Sequence, residues 1–160
     1  MFGKSLLLIS ILLTAVAGFG QKKSYDSPGK TVRALIVPVG AKGCETFESR
    51  VDIRSSSGAL LRRKSFWSRD HNHGEGVGHA EWTSDGRFFV FNTNSSGGHQ
   101  PWHSFTYMYS ARANKFYNLD SSVGAITSDF KLQGEVLVTT RLASAGGKDV
   151  PLTVRLSRWR

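Results

Sequence analysis

Residues 88–91 read Phe-Phe-Val-Phe, immediately after Asp85-Gly86-Arg87. An Asp-Gly pair turns a chain tightly, because glycine tolerates positive φ and aspartate can bond its own backbone. The segment after this turn reads as a strand, and successive side chains of a strand point to opposite faces. Four large apolar residues in a row leave neither face for solvent. A chain with this segment has to cover one strand from both sides, so it is expected to fold in layers around it.

The other segments supply the layers. Thr31–Val39 is β-branched and apolar, with Pro38 marking an edge or an ending. Ser49, Val51 and Ile53 alternate with Glu48, Arg50, Asp52 and Arg54, which is period two with one buried face and charges expected on the solvated one. Ser55–Gly58 then turns the chain and Ala59–Phe66 runs back, a hairpin. Arg69–Gly78 is a loop by composition. His79–Trp82 and Arg87–Thr93 are strands on either side of the Asp-Gly turn. Phe105–Ser110 alternates aromatics with Thr106 and Met108, Ala113-Asn114 turns, and Lys115–Leu119 returns. The link from Asp120 to Gln133 has room for one short helix. Glu135–Leu142 and Val150–Trp159 flank a turn at Ala145-Gly146-Gly147 and form a closing hairpin. Beyond the first twenty residues no window shows apolar residues at helical spacing with caps. The fold class is therefore all-β: a compact antiparallel meander or sandwich of short hairpins.

The first twenty residues have a different character. Lys4 precedes an apolar run from Leu6 to Ala17, and small residues come next, with an A-x-A pattern at Ala15-Val16-Ala17. This is the layout of a secretory signal peptide, and the run is shorter than the ~20 residues a spanning helix needs. The expected organisation is a signal peptide over 1–20, a flexible polar lead-in over 21–30, and a single all-β domain over 31–160. The mature chain would carry no transmembrane segment and would be exported, to a periplasm or the extracellular space. The lone Cys44 cannot form an intrachain disulfide and is expected to be buried. The formal charge is +9, which draws a protein toward anionic surfaces such as phosphate-bearing lipid, acidic polysaccharide or nucleic acid. The basic residues are dispersed, with the densest run at Arg62-Arg63-Lys64. No nucleic-acid module is present, so specific nucleic-acid recognition is not expected.

The stretch His79–Asp120, with Trp82, Asp85, Gly86, Arg87 and Phe91 followed by Tyr107, Tyr109 and Phe116, resembles the repeat of TolB-type and WD40-like β-propellers. Blades of that family commonly carry W-S-P-D-G-R/K before an apolar strand, and Ser84 stands here where the family usually has proline. The resemblance implies blade-like hairpins, with Val51–Phe66 and the final hairpin as degenerate copies. Blade repeats run to about 40–45 residues and a propeller needs at least four. The roughly 140 residues of the mature chain hold three at most, so a complete propeller is excluded for a single chain. Ser95–His103 is an insertion relative to the blade.

Two loops carry the candidate chemistry. His71, His73 and His79 lie in HNHGEGVGH, and His-x-His at strand spacing puts two rings on one face. With Glu75 or His99 they are candidate zinc ligands, although the spacing matches no standard signature. In SSGGHQPWH, Pro101 stiffens the tip and gives Trp102 a defined position beside His99, Gln100 and His103. A flat aromatic among amide and imidazole groups suits a sugar ring or a peptide segment. There is no G-x-S-x-G elbow and no phosphate-cradling loop before a helix. The leading expectation is an exported, non-catalytic binding domain without a cofactor, recognising an envelope protein or glycan around Trp102 through His99, Gln100 and His103. The alternative is a metal-dependent hydrolase using the loop histidines.

Overall fold

Three antiparallel sheets stack in chain order. The computed structural model describes residues 22–40, 48–71, 73–96, 105–143 and 147–159. The first sheet is a meander of β1 (Lys23–Asp26), β2 (Val32–Val39), β3 (Glu48–Ser55) and β4 (Leu60–Ser65). The second is a meander of β5 (Glu75–Trp82), β6 (Phe88–Ser95), β7 (Phe105–Ser110) and β8 (Lys115–Asn118). A four-residue helix, α1 (Asp120–Val123), leads to the third: β9 (Lys131–Gln133), β10 (Val136–Leu142) and β11 (Asp149–Arg155). The chain is all-β, as its patterning requires. Among the described residues the sheets close into neither a barrel nor a propeller.

The strand β6 sits at the centre, and its run of four apolar residues feeds two cores. Phe89 and Phe91, fully buried, face the first sheet and pack with Ala34, Ile36, Val51 and Ile53 together with Phe66, Tyr107 and Tyr109. Phe88 and Val90 face the third sheet and pack with Met108, Ile126, Phe130, Leu137 and Val154. The first core is aromatic, with Phe91 and Tyr107 stacked at 5.6 Å and Phe66 edge-on to Phe91 at 5.8 Å. The second is mostly aliphatic.

The Trp82–Phe88 segment holds all three layers together. Gly86 has φ of 70°, which the tight turn requires of it. Asp85 accepts hydrogen bonds from the Thr83 hydroxyl (2.7 Å) and the Arg87 amide (3.0 Å). Burial pushes its carboxyl up, but these bonds together with the Arg87 guanidinium outweigh it and hold the group below the usual range. The Trp82 indole N–H donates to the Tyr25 carbonyl in β1 at 2.9 Å, and the Arg87 guanidinium donates to Glu135, in the turn between β9 and β10 of the third sheet, at 2.8 Å. One turn motif thus reaches the sheets on both sides.

The structure departs from the sequence reading in three places. The polar lead-in contains β1, which pairs with Arg33–Ile36 of β2 and is hydrophilic because it is an edge strand. That pairing stops at Ile36, so Pro38 has a described neighbour on the β3 side alone and its missing N–H is tolerated. Second, β5 begins at Glu75, inside the segment read as a loop. Its Gly78 is there for close approach: a Cβ on it would come within 2.7 Å of the Asn92 side chain, which accepts the His79 amide across a register shift. Third, Glu48 and Asp52, expected on a solvated face, are 0% and 1% exposed.

Candidate functional site

Glu48 opens β3 and points away from the Val51–Ile53 core face, toward the loop that joins β4 to β5. The loop folds around its carboxylate. The amides of Ser68 and Gly74 donate to it at 2.8 and 2.7 Å, and the Ser68 hydroxyl donates at 2.6 Å. His71 Nδ1 lies 3.4 Å from the second oxygen. Gly74 is required here, since an added Cβ would collide with the Phe66 carbonyl and lie 2.5 Å from the Glu48 carboxyl carbon. Burial pushes the Glu48 carboxyl up, but the donors of Ser68, Gly74 and Ser96 outweigh it, and the net displacement is downward. The group is a buried carboxylate held by neutral donors.

The same carboxylate reaches the start of the second loop. The Ser96 hydroxyl lies 3.2 Å from Glu48, and the Ser96 amide donates to the Gly74 carbonyl at 2.9 Å. The two loops singled out in the sequence therefore leave the sheets side by side. His99, Gln100, Trp102 and His103, like Cys44, lie outside the described residues.

Next to Glu48 a cleft of about 320 Å³ opens, lined by Lys64, Phe66, Trp67, His73, Glu75 and Tyr107, among others. Trp67, 40% exposed, is among the few large apolar side chains left open to solvent. The Lys64 ammonium lies 4.8 Å from the centre of the Tyr107 ring and 5.3 Å from that of Phe66, within cation–π range. Burial, with the carboxylates of Glu75 and Asp120 nearby, pushes the Tyr107 phenol up to about 12, so it stays a neutral hydrogen-bond donor at physiological pH. The cleft thus combines an exposed indole with a cation, a phenol and an imidazole. Such a set can hold a sugar ring or a peptide segment by stacking and hydrogen bonds.

The histidines go to different partners. His71 faces Glu48 from a left-handed conformation (φ 58°). His73 Nδ1 lies 2.6 Å from Asp70 at the cleft. His79 belongs to the other face of β5, edge-on to Phe130 at 4.6 Å with Nε2 3.7 Å from Glu81. Among the described residues no group of three or more His, Cys, Asp or Glu side chains is arranged to hold a metal ion.

Sequence reasoning missed Glu48, Ser68, Trp67, Lys64 and Tyr107 as parts of this site. Only Trp67 left a readable signal, as a large aromatic one residue beyond the end of a predicted strand, just before the polar run Ser68-Arg69-Asp70.

No family model and no curated protein matches the chain. Among solved structures it is similar to a mutant puromycin hydrolase complexed with PGG, at 11% sequence identity and a TM-score of 0.32. That match covers 86% of this chain but 27% of the hydrolase, and the superposition is too loose to transfer a residue role. No helix among the described residues is long and apolar enough to cross a membrane.

Proposed function

We propose that this is an exported, non-catalytic binding domain that recognises a glycan or protein of the cell envelope through the surface where the 66–75 and 96–105 loops meet. The observation that carries the reading is the shared anchor: Glu48 binds Ser68 and Gly74 of one loop and Ser96 of the other, beside the cleft that exposes Trp67. A binding surface gains from loops fixed in advance, because less ordering entropy is lost on contact. The three stacked meanders support the TolB/WD40-like reading of the repeat, three blade-like units in the length available. In that arrangement the turns and loops at one rim are available for recognition.

The reading is tested with the mature protein on an immobilised panel of envelope glycans and on a fractionated envelope extract. Trp67→Ala and Trp102→Ala should each lower capture tenfold or more, with Trp67→Ala leaving the thermal midpoint within a few degrees, as befits a half-exposed side chain. Undiminished capture by both variants would remove the proposed surface.

A further inference from the structure

The first sheet has a second face, away from both cores, and it is rich in arginine. Strand alternation puts Arg50, Asp52 and Arg54 of β3 opposite Val51 and Ile53. Cross-strand pairing adds Arg33, opposite Arg54, and Arg63, opposite Asp52, to the same face. The side chains of Arg33, Arg50, Arg54 and Arg63 are 53, 30, 34 and 38% exposed, so the described residues leave these guanidiniums open to solvent. Four guanidiniums there meet two carboxylates, Asp26 on Arg33 and Asp52 beneath the other three.

The arginines are held in place. Arg63 grips Asp52 with two bonds of 2.6 and 2.8 Å, and Arg50 and Arg54 lie 3.5 and 3.8 Å from the same carboxylate. Arg54 also donates to the Gly58 carbonyl at 2.7 Å. A face whose only task is solubility is served by flexible lysines. Planar guanidiniums fixed from below, with their outer edges in solvent, suit phosphate or carboxylate groups.

What distinguishes the kinds of anion is the end of the hairpin. Leu60 and Leu61 are 45 and 38% exposed, and with Trp67 they make up the exposed large apolar residues described. Leu60 pairs with Arg54 and so shares its face, and the register shift there leaves Leu61 beside it. Exposed leucines next to fixed cations match the boundary of an anionic bilayer, with phosphates outside and acyl chains just below. A soluble acidic polymer has no use for the leucines.

We infer that the Arg33–Arg50–Arg54–Arg63 face, with the Leu60-Leu61 tip, docks the domain on an anionic lipid surface, independently of the loop site. The test is co-sedimentation of the mature protein with vesicles of phosphatidylcholine alone, or of phosphatidylcholine and phosphatidylglycerol in equal parts, with soluble heparin as a competing polyanion. Binding should require the anionic lipid and fade as salt rises. Arg33→Gln with Arg50→Gln should weaken it roughly thirtyfold, the effect of removing two surface cations. Leu60→Ser with Leu61→Ser, a surface change that leaves the fold intact, should weaken it at least fivefold while heparin affinity stays the same. Equal binding to neutral vesicles, or full binding by the arginine pair variant, would overturn the assignment. Leucine variants that bind vesicles as well as the unmodified protein would overturn it too, in favour of a soluble acidic polymer.

Discussion

Glu48 and Asp52 stand on one face of the same strand, both buried, and are satisfied in opposite ways. Asp52 is neutralised by charge, with Arg63 in a two-point grip and Arg50 and Arg54 near. Glu48 is held by two backbone amides and serine hydroxyls. For Asp52, burial pushes the carboxyl up, but Arg63 with Arg50 and Arg54 more than reverses it, and the net displacement is downward, as for Glu48. The two environments fix different things. Guanidiniums on flexible stems fix one another on a surface. Amides fix backbone, so Glu48 sets the path of the loops that frame the cleft.

The two carboxylates should differ most when each is removed. Glu48→Ala strands two buried amides and removes the tie between loops, and it should cost about 3–5 kcal/mol of unfolding free energy in urea denaturation. A loss below about 1 kcal/mol would mean that water replaces the carboxylate freely. Asp52→Asn should cost less, about 1–3 kcal/mol, because its arginine partners are a third or so exposed and can turn to solvent. It should also leave the loops undisturbed.

The smallest effect lies in acid. Both carboxyls have folded-state pKa values below their unfolded ones, so each contributes stability that is fully present above the unfolded value. That contribution is lost as pH falls through the folded one. Unfolding free energy should therefore fall as pH drops below about 4, and each single variant should show a shallower fall than the unmodified protein. An acid limb unchanged in both variants would assign the loss to other carboxyls, Asp85 among them.

How much of this the sequence carries depends on the kind of interaction. Period-two patterning placed Val51 and Ile53 in a core, and the unbroken apolar run Phe88–Phe91 marked the central strand as covered on both faces, because successive side chains of a strand point to opposite sides. Patterning also put Glu48 and Asp52 on a common charged face, and that was right. It could not show that the face is closed over at both residues, since what covers Glu48 comes from Ser68 and Gly74, 20 and 26 residues away. Glycine misled at Gly76 and Gly78, where a composition that reads as loop belongs to a strand, and Gly78 passes close to Asn92 and Asn94. The edge strand Lys23–Asp26 was hidden because it is short and polar but for Tyr25, its one residue packed on the core. Of the site, the two loops were legible from their composition. The anchor that joins them was not.

If one buried carboxylate fixes the loops of the candidate binding surface, the loop amides should lose their protection without it. Amide hydrogen exchange at Ser68, Gly74 and Ser96, in the unmodified protein and in Glu48→Gln, measures this. All three amides should be strongly protected in the unmodified protein. In the variant, protection should fall at least tenfold at these positions while Phe89–Phe91 of the central strand keep theirs. Unchanged protection of Ser68 and Gly74 in Glu48→Gln would contradict the role given to Glu48.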